Sequence, residues 1–209
     1  MKNNEQMSWH ETVLGYWNEV EECASGRQPW RYDQLAQVLV SGGRRPRWRF
    51  DMPKFLRELN NGNIEFSALT VPIIIGPLPF GHDREHVSNV HQRLVYSAFC
   101  WCIEHGLNNV LVEQNTFETY RPDVTATTPN GTCVHFECGD TESRKVLQML
   151  RDQRIVFVMP FNTATIAERS GRTYRFVPKP DLPEEDEEYL AEINAAIDKL
   201  DVPYMRPNR

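Results

Sequence analysis

The sequence predicts an α/β fold: a helical N-terminal region with a basic loop, a core in which helices and short strands succeed one another, and an acidic C-terminal helix. Three observations carry that expectation. Apolar residues run at helical spacing near the start and again over 84–105, the pattern turns to period two and short runs after residue 108, and nine acids crowd beyond residue 180. The regions are 1–63, 64–180 and 181–209.

In Glu5–Ala24, residues Trp9, Val13, Leu14, Trp17 and Val20 share one helical face, and Ser25-Gly26 ends the helix. Tyr32–Val40 and Pro53–Leu59 read as short helices around a Gly-Gly-Arg-Arg-Pro loop, closed by Asn60–Asn63. Ile64–Ile75 reads as a strand interrupted by Pro72, and Pro77–Gly81 turns the chain. A long helix follows over Arg84–His105, with Val87, Val90, Leu94, Val95, Ala98, Phe99, Cys102 and Ile103 forming its apolar face and Gly106 its cap.

Strands are then expected at 109–113, 120–127 and 132–138. Asp140 or Thr141 can cap a helix over Glu142–Arg151, whose Val146, Leu147, Met149 and Leu150 face a core. Arg154–Met159 and Arg172–Val177 are further strands, Pro178–Pro183 stiffens the exit, and Glu184–Leu200 reads as a surface helix.

Over 209 residues, 40% hydrophobic and 11% aromatic composition supplies a substantial core and excludes wholesale disorder. The longest apolar run, Leu69–Leu78, contains Thr70, Pro72, Gly76 and Pro77 and is far shorter than the roughly 20 residues that span a bilayer. With a polar, acidic start over Met1–Glu11, the expectation is a cytoplasmic protein with no membrane partner. Five cysteines without CxxC spacing read as reduced thiols, excluding a disulfide framework and a zinc knuckle. No GxGxxG, GxxxxGK[ST] or GxSxG pattern supports a nucleotide cradle or a serine hydrolase.

The net charge of −6 is accounted for entirely by residues 181–209, which hold nine acids and three bases. Arg27–Arg57 holds eight bases and two acids, and its centre interleaves Arg44, Arg45, Arg47 and Arg49 with Trp48. Guanidinium groups grip phosphates and aromatic rings stack on bases, so these five residues form a candidate nucleic-acid-binding segment. The same segment can instead be an exposed loop that the acidic tail covers, masking it until a partner displaces the tail.

Pro129-Asn130-Gly131 marks a turn, and a hairpin centred on Asn130 pairs Asp123 with Glu137, each seven residues away. Parity places Val124, Ala126, Val134, Phe136 and Cys138 on a core face and Asp123, Thr125, His135, Glu137 and Gly139 on a polar one. Sheets avoid like charges directly opposite, so this pair points to a shared cation or proton unless each acid meets an arginine such as Arg121 or Arg144.

Tyr120-Arg-Pro-Asp-Val124 followed by Phe136-Glu-Cys-Gly139 resembles the PD-(D/E)xK motif of restriction-endonuclease-like nucleases. The expected element order over 84–159 is similar to that superfamily's αβββαβ core, a central mixed sheet flanked by helices. The chain departs from the pattern where Gly139 stands in place of the motif lysine, and Lys145 resembles the migrated lysine of some members.

The resemblance implies a metal-dependent nuclease acting on DNA, with Asp123, Glu137 and the Cys138 carbonyl holding Mg²⁺ or Mn²⁺ and Lys145 assisting. Glu113 is a further catalytic candidate, with Glu118 and Gln114 beside it; Glu104 reads as a solvated residue. His82, His86 and His91 lack the i, i+4 spacing of paired ligands and read as structural, and His135 as a supporting hydrogen-bond partner. Members that cut both strands dimerise, so a homodimer is possible. The alternative is an inactive nuclease-fold protein that serves as a nucleic-acid-binding or protein-interaction module.

Overall fold

A computed structural model describes residues 28–40, 51–75, 89–112, 120–161 and 170–180, together with Glu22 and the backbone of 164–165. Apart from Glu22, the helix expected over Glu5–Ala24 lies outside the described residues. So do the nucleic-acid-binding candidates Arg44, Arg45, Arg47, Trp48 and Arg49, the candidates Glu113, Gln114 and Glu118, His82 and His86, and the acidic tail from residue 181.

The described elements are α1 (Tyr32–Leu35), α2 (Asp51–Asn60), β1 (Ile64–Pro72), α3 (Asn89–Glu104), β2 (Asn108–Val112), β3 (Val124–Thr127), β4 (Cys133–Cys138), α4 (Ser143–Arg151), β5 (Ile155–Met159), β6 (Ala164–Thr165) and β7 (Ser170–Pro178). The sheet runs β1-β7-β5-β4-β3-β2, with the short β6 also paired to β7. It is mixed: β4 and β5 are parallel, joined by α4, and every other neighbouring pair is antiparallel.

Most expected elements form, and their ends have local causes. Pro72 closes β1, where it sits opposite Ser170 at the end of the ladder on an edge strand that tolerates a missing N–H. α3 stops at Gly106, which takes φ +71° and lets the Leu107 N–H reach back to the Cys102 carbonyl at 2.9 Å. β3 begins at Val124 rather than Tyr120, because Pro122 has no N–H to give a ladder.

Two expectations are corrected. The helix expected over Tyr32–Val40 ends at Leu35; hydrogen-bonded turns carry the chain on to Leu39, and Val40 forms a parallel bridge with Glu142. Neither Asp140 nor Thr141 caps α4. Its N-cap is Glu142, which makes no side-chain cap bond, and the Ser143 N–H donates instead to the Val40 carbonyl at 3.1 Å. Backbone from a distant part of the chain thus satisfies a helix-end donor.

Both faces of the sheet are covered. On one, Leu94, Val95, Ala98 and Cys102 of α3 pack over Val124, Ala126, Val134 and Phe136, with the Phe136 and Phe157 rings stacked at 4.5 Å and 7°. On the other, Met52, Phe55 and Leu59 of α2 join Val146, Leu147 and Leu150 of α4 over Val156, Val158, Tyr174 and Phe176. Trp30, Leu35, Val38 and Leu39 belong to this second cluster, so the described part of region 1–63 shares the core of region 64–180. Cys102 and Cys138 are buried, and Cys100 and Cys133 are partly exposed free thiols. No helix among the described residues is long and apolar enough to cross a membrane.

Candidate active site

The hairpin register is the one a turn at Asn130 dictates: Val124 pairs with Phe136, Thr125 with His135, Ala126 with Val134 and Thr127 with Cys133. One step further, the Asp123 N–H donates to the Phe136 carbonyl at 3.1 Å. Its carboxylate then takes over as acceptor, receiving the Cys138 N–H on Oδ2 at 2.7 Å. Asp123 is thereby held at the mouth of the hairpin, beside the strand position that carries Glu137.

The polar face is polar but not wet. Thr125, His135 and Glu137 are all buried beneath the α4 side of the sheet, and Glu137 is only 4% exposed. Thr125 Oγ1 and His135 Nδ1 lie 3.2 Å apart. Burial, then the Arg154 and Lys145 charges, lower the His135 pKa to about 4, against a smaller opposite effect of Asp152.

Lys145 rises from the first turn of α4. Its Nζ donates to Glu137 Oε2 and to the Arg121 carbonyl, both at 2.6 Å, tying β4 to the segment before β3. Even so, burial pushes the Glu137 pKa up to about 8, with the Asp123 charge adding to the rise and Lys145 opposing it. Glu137 Oε1 is buried with no hydrogen-bond partner among the described residues. Neither Asp123 nor Glu137 is paired with an arginine there.

His91, read from the sequence as merely structural, sits in this site. From the start of α3 its Nδ1 lies 2.9 Å from the Cys138 carbonyl and its Nε2 3.5 Å from Asp123 Oδ1. The imidazole therefore touches two of the three atoms groups that the sequence assigned to a cation. Histidine five residues from the nearest other histidine gives no ligand spacing, so only the crossing of α3 over the strand ends reveals it.

The resemblance drawn from the sequence would put a lysine at position 139, where Gly139 stands. Its φ is +97°, which residues with a side chain rarely adopt, and an added Cβ would run into the Phe161 ring. Position 139 has no room for a lysine, whereas α4 delivers the Lys145 ammonium to Glu137 from above. Phe161 also meets the His91 ring edge-on, with centroids 6.4 Å apart.

The donor set can be tested for a divalent cation. Among the described residues no group of three or more His, Cys, Asp and Glu side chains is gathered to hold a metal. Mg²⁺ does not require one, since it is commonly held by one or two carboxylates with water and substrate phosphate completing its shell. Two neighbouring carboxylates, one with an orphaned buried oxygen, and the adjoining Cys138 carbonyl fit that habit. Glu104 belongs to the last turn of α3 and is exposed, as expected of a solvated residue.

In comparisons with known proteins, no family model, curated protein or solved structure matches this chain.

Proposed function

We propose that the protein is a metal-dependent phosphodiesterase of the restriction-endonuclease-like kind, acting on nucleic acid and foremost DNA. The observation that carries this reading is the meeting of Lys145 Nζ with Glu137 Oε2 at 2.6 Å beside Asp123, at a strand end where Gly139 excludes a side chain. The order α3-β2-β3-β4-α4-β5, with an antiparallel meander and then a parallel crossover, supports it as well.

Asp123, Glu137 and the Cys138 carbonyl would hold Mg²⁺ or Mn²⁺. When bound, the cation would supply Lewis-acid polarisation of the scissile phosphate and lower the pKa of an attacking water. The chain's own contribution is positional. The Cys138 N–H fixes one Asp123 oxygen, so this carboxylate does not have to be ordered on substrate arrival. Lys145, anchored on the Arg121 carbonyl, presents an ammonium that can donate to a phosphate oxygen or orient the water.

A second reading, an inactive nuclease-fold module that binds nucleic acid or protein, draws on Asp123, whose two oxygens already face Cys138 N–H and His91. Nicking of supercoiled DNA in Mg²⁺ or Mn²⁺ separates the two. The enzyme reading expects cleavage by the wild type that both Asp123→Ala and Glu137→Ala abolish. Cleavage surviving both substitutions overturns the site, and DNA binding without any cleavage in either cation favours the module.

A further inference from the structure

A cavity of about 360 Å³ opens beside the candidate active site, between the chain leading out of α1 and the ends of β4 and β5. Its walls include Val38, Val40, Pro160 and Phe161, with Gln37 and Asp140 as polar members. The volume lies at the small end of the range for ligand sites, roughly 300 to 1,000 Å³. Gly139, two residues from Glu137, is also part of the wall, and Phe161 roofs Gly139 and abuts His91. One side of the cavity is therefore continuous with the groups proposed to handle phosphate.

The composition of the walls selects the occupant. An aromatic ring and aliphatic side chains offer stacking and apolar contact, and the Asp140 carboxylate repels phosphate but accepts a hydrogen bond from an exocyclic amine. A flat, uncharged heterocycle with amino groups meets those terms, and it arrives attached to the phosphodiester that the neighbouring site receives.

The geometry points to a nucleobase subsite: the cavity takes the unpaired base next to the scissile phosphate, stacked on Phe161. This rests on the phosphodiesterase reading and adds to it a substrate class, single-stranded or locally opened nucleic acid. A base inside a duplex reaches such a cavity only after unstacking and unpairing, which costs a few kcal/mol. Intact duplex is then the poorer substrate.

The test is fluorescence anisotropy with the full chain, Ca²⁺ replacing Mg²⁺, on a labelled single-stranded oligonucleotide and on the same strand made abasic throughout. Stacking of one base is worth about 1–3 kcal/mol, so the wild type is expected to bind the base-bearing strand about 5- to 150-fold more tightly. Phe161→Leu keeps an apolar cover over Gly139 and should erase that ratio; Phe161→Trp should keep it; Ala36→Trp, at the exposed cavity wall, should erase it by filling the space.

Equal affinity for the two strands, a ratio that survives both Phe161→Leu and Ala36→Trp, or no binding at all overturns the subsite. Failure of the parent reading looks different. Cleavage in Mg²⁺ with equal affinities removes the subsite and leaves the phosphodiesterase, whereas base discrimination without cleavage in either cation keeps the subsite and removes the enzyme.

Discussion

Glu137 should make this protein less stable as pH rises, and replacing it with glutamine should remove the effect. Its pKa is about 8 in the fold because it is buried, against about 4.3 in an unfolded chain. Between those values the folded state holds a proton that the unfolded state has released. The folding equilibrium therefore weakens up to tenfold per pH unit, from just above pH 4.3 until the folded pKa is passed. From pH 5 to pH 8 the loss amounts to roughly 3 to 4 kcal/mol, a large part of the 5–15 kcal/mol that holds a domain together.

His135 acts in the opposite sense. Its folded pKa of about 4 lies below the ordinary 6.5, so between these values the unfolded state binds the extra proton and stability rises with pH. A wild-type curve alone would mix the two groups. The difference between wild type and Glu137→Gln isolates the carboxylate, since the amide keeps the shape and an acceptor for Lys145 but cannot ionise.

The assay is urea unfolding at pH 5, 6, 7 and 8 in EDTA. The glutamine variant is expected to gain steadily on the wild type as pH rises. Mn²⁺ should stabilise the wild type most at pH 8 by taking the proton's place, with a smaller effect on the variant. Parallel curves for the two proteins would refute the argument that burial outweighs the Lys145 ion pair.

Placing the lysine on β4 should fail: Gly139→Lys combined with Lys145→Ala is expected to lose about 1–3 kcal/mol from the backbone at φ +97°, more from the clash with Phe161, and to show no nicking activity, read by thermal melts and cleavage. His91→Ala removes the ring between Asp123 Oδ1 and the Cys138 carbonyl; it should lower cleavage by about 10- to 100-fold with an unchanged far-UV spectrum, and wild-type rates would sink the positioning role. Phe136→Ala opens a void beneath Phe157 and Trp101 and should cost about 3–5 kcal/mol in chemical denaturation; a loss under 1 kcal/mol would mean that the stacked core collapses around it.

The core of the fold was legible because its signals are local. Period-two runs marked β3 and β4, the Pro-Asn-Gly turn set their register to the residue, and helical spacing with Gly106 located α3 and its end. Lys145 was legible only through the resemblance. Alternation along β4 separated His135 and Glu137 from Val134 and Phe136 but carried no information on depth. Polar residues on alternate positions look solvated in a sequence, and α4 buries these. The short helix expected through Val40 failed for a related reason, since propensity over 36–40 is overridden by a bridge to Glu142, about a hundred residues away.

Gly139 and Lys145 are connected through one loop. Gly139 at positive φ turns the chain out of β4, and with no side chain there Phe161 can close over it. The turned chain then enters α4 through Glu142, where the Val40 carbonyl receives the Ser143 N–H and pins the first helical turn. That turn carries Lys145, and the position of its ammonium depends on the pinning. A lysine on β4 would need only the strand, whereas one on α4 needs the helix held in place by residues 36–40. The same five residues wall the cavity beside Phe161. Because the lysine stands on α4, residues 36–40 belong to the candidate site, and the placement of the ammonium is coupled to the space proposed for a base.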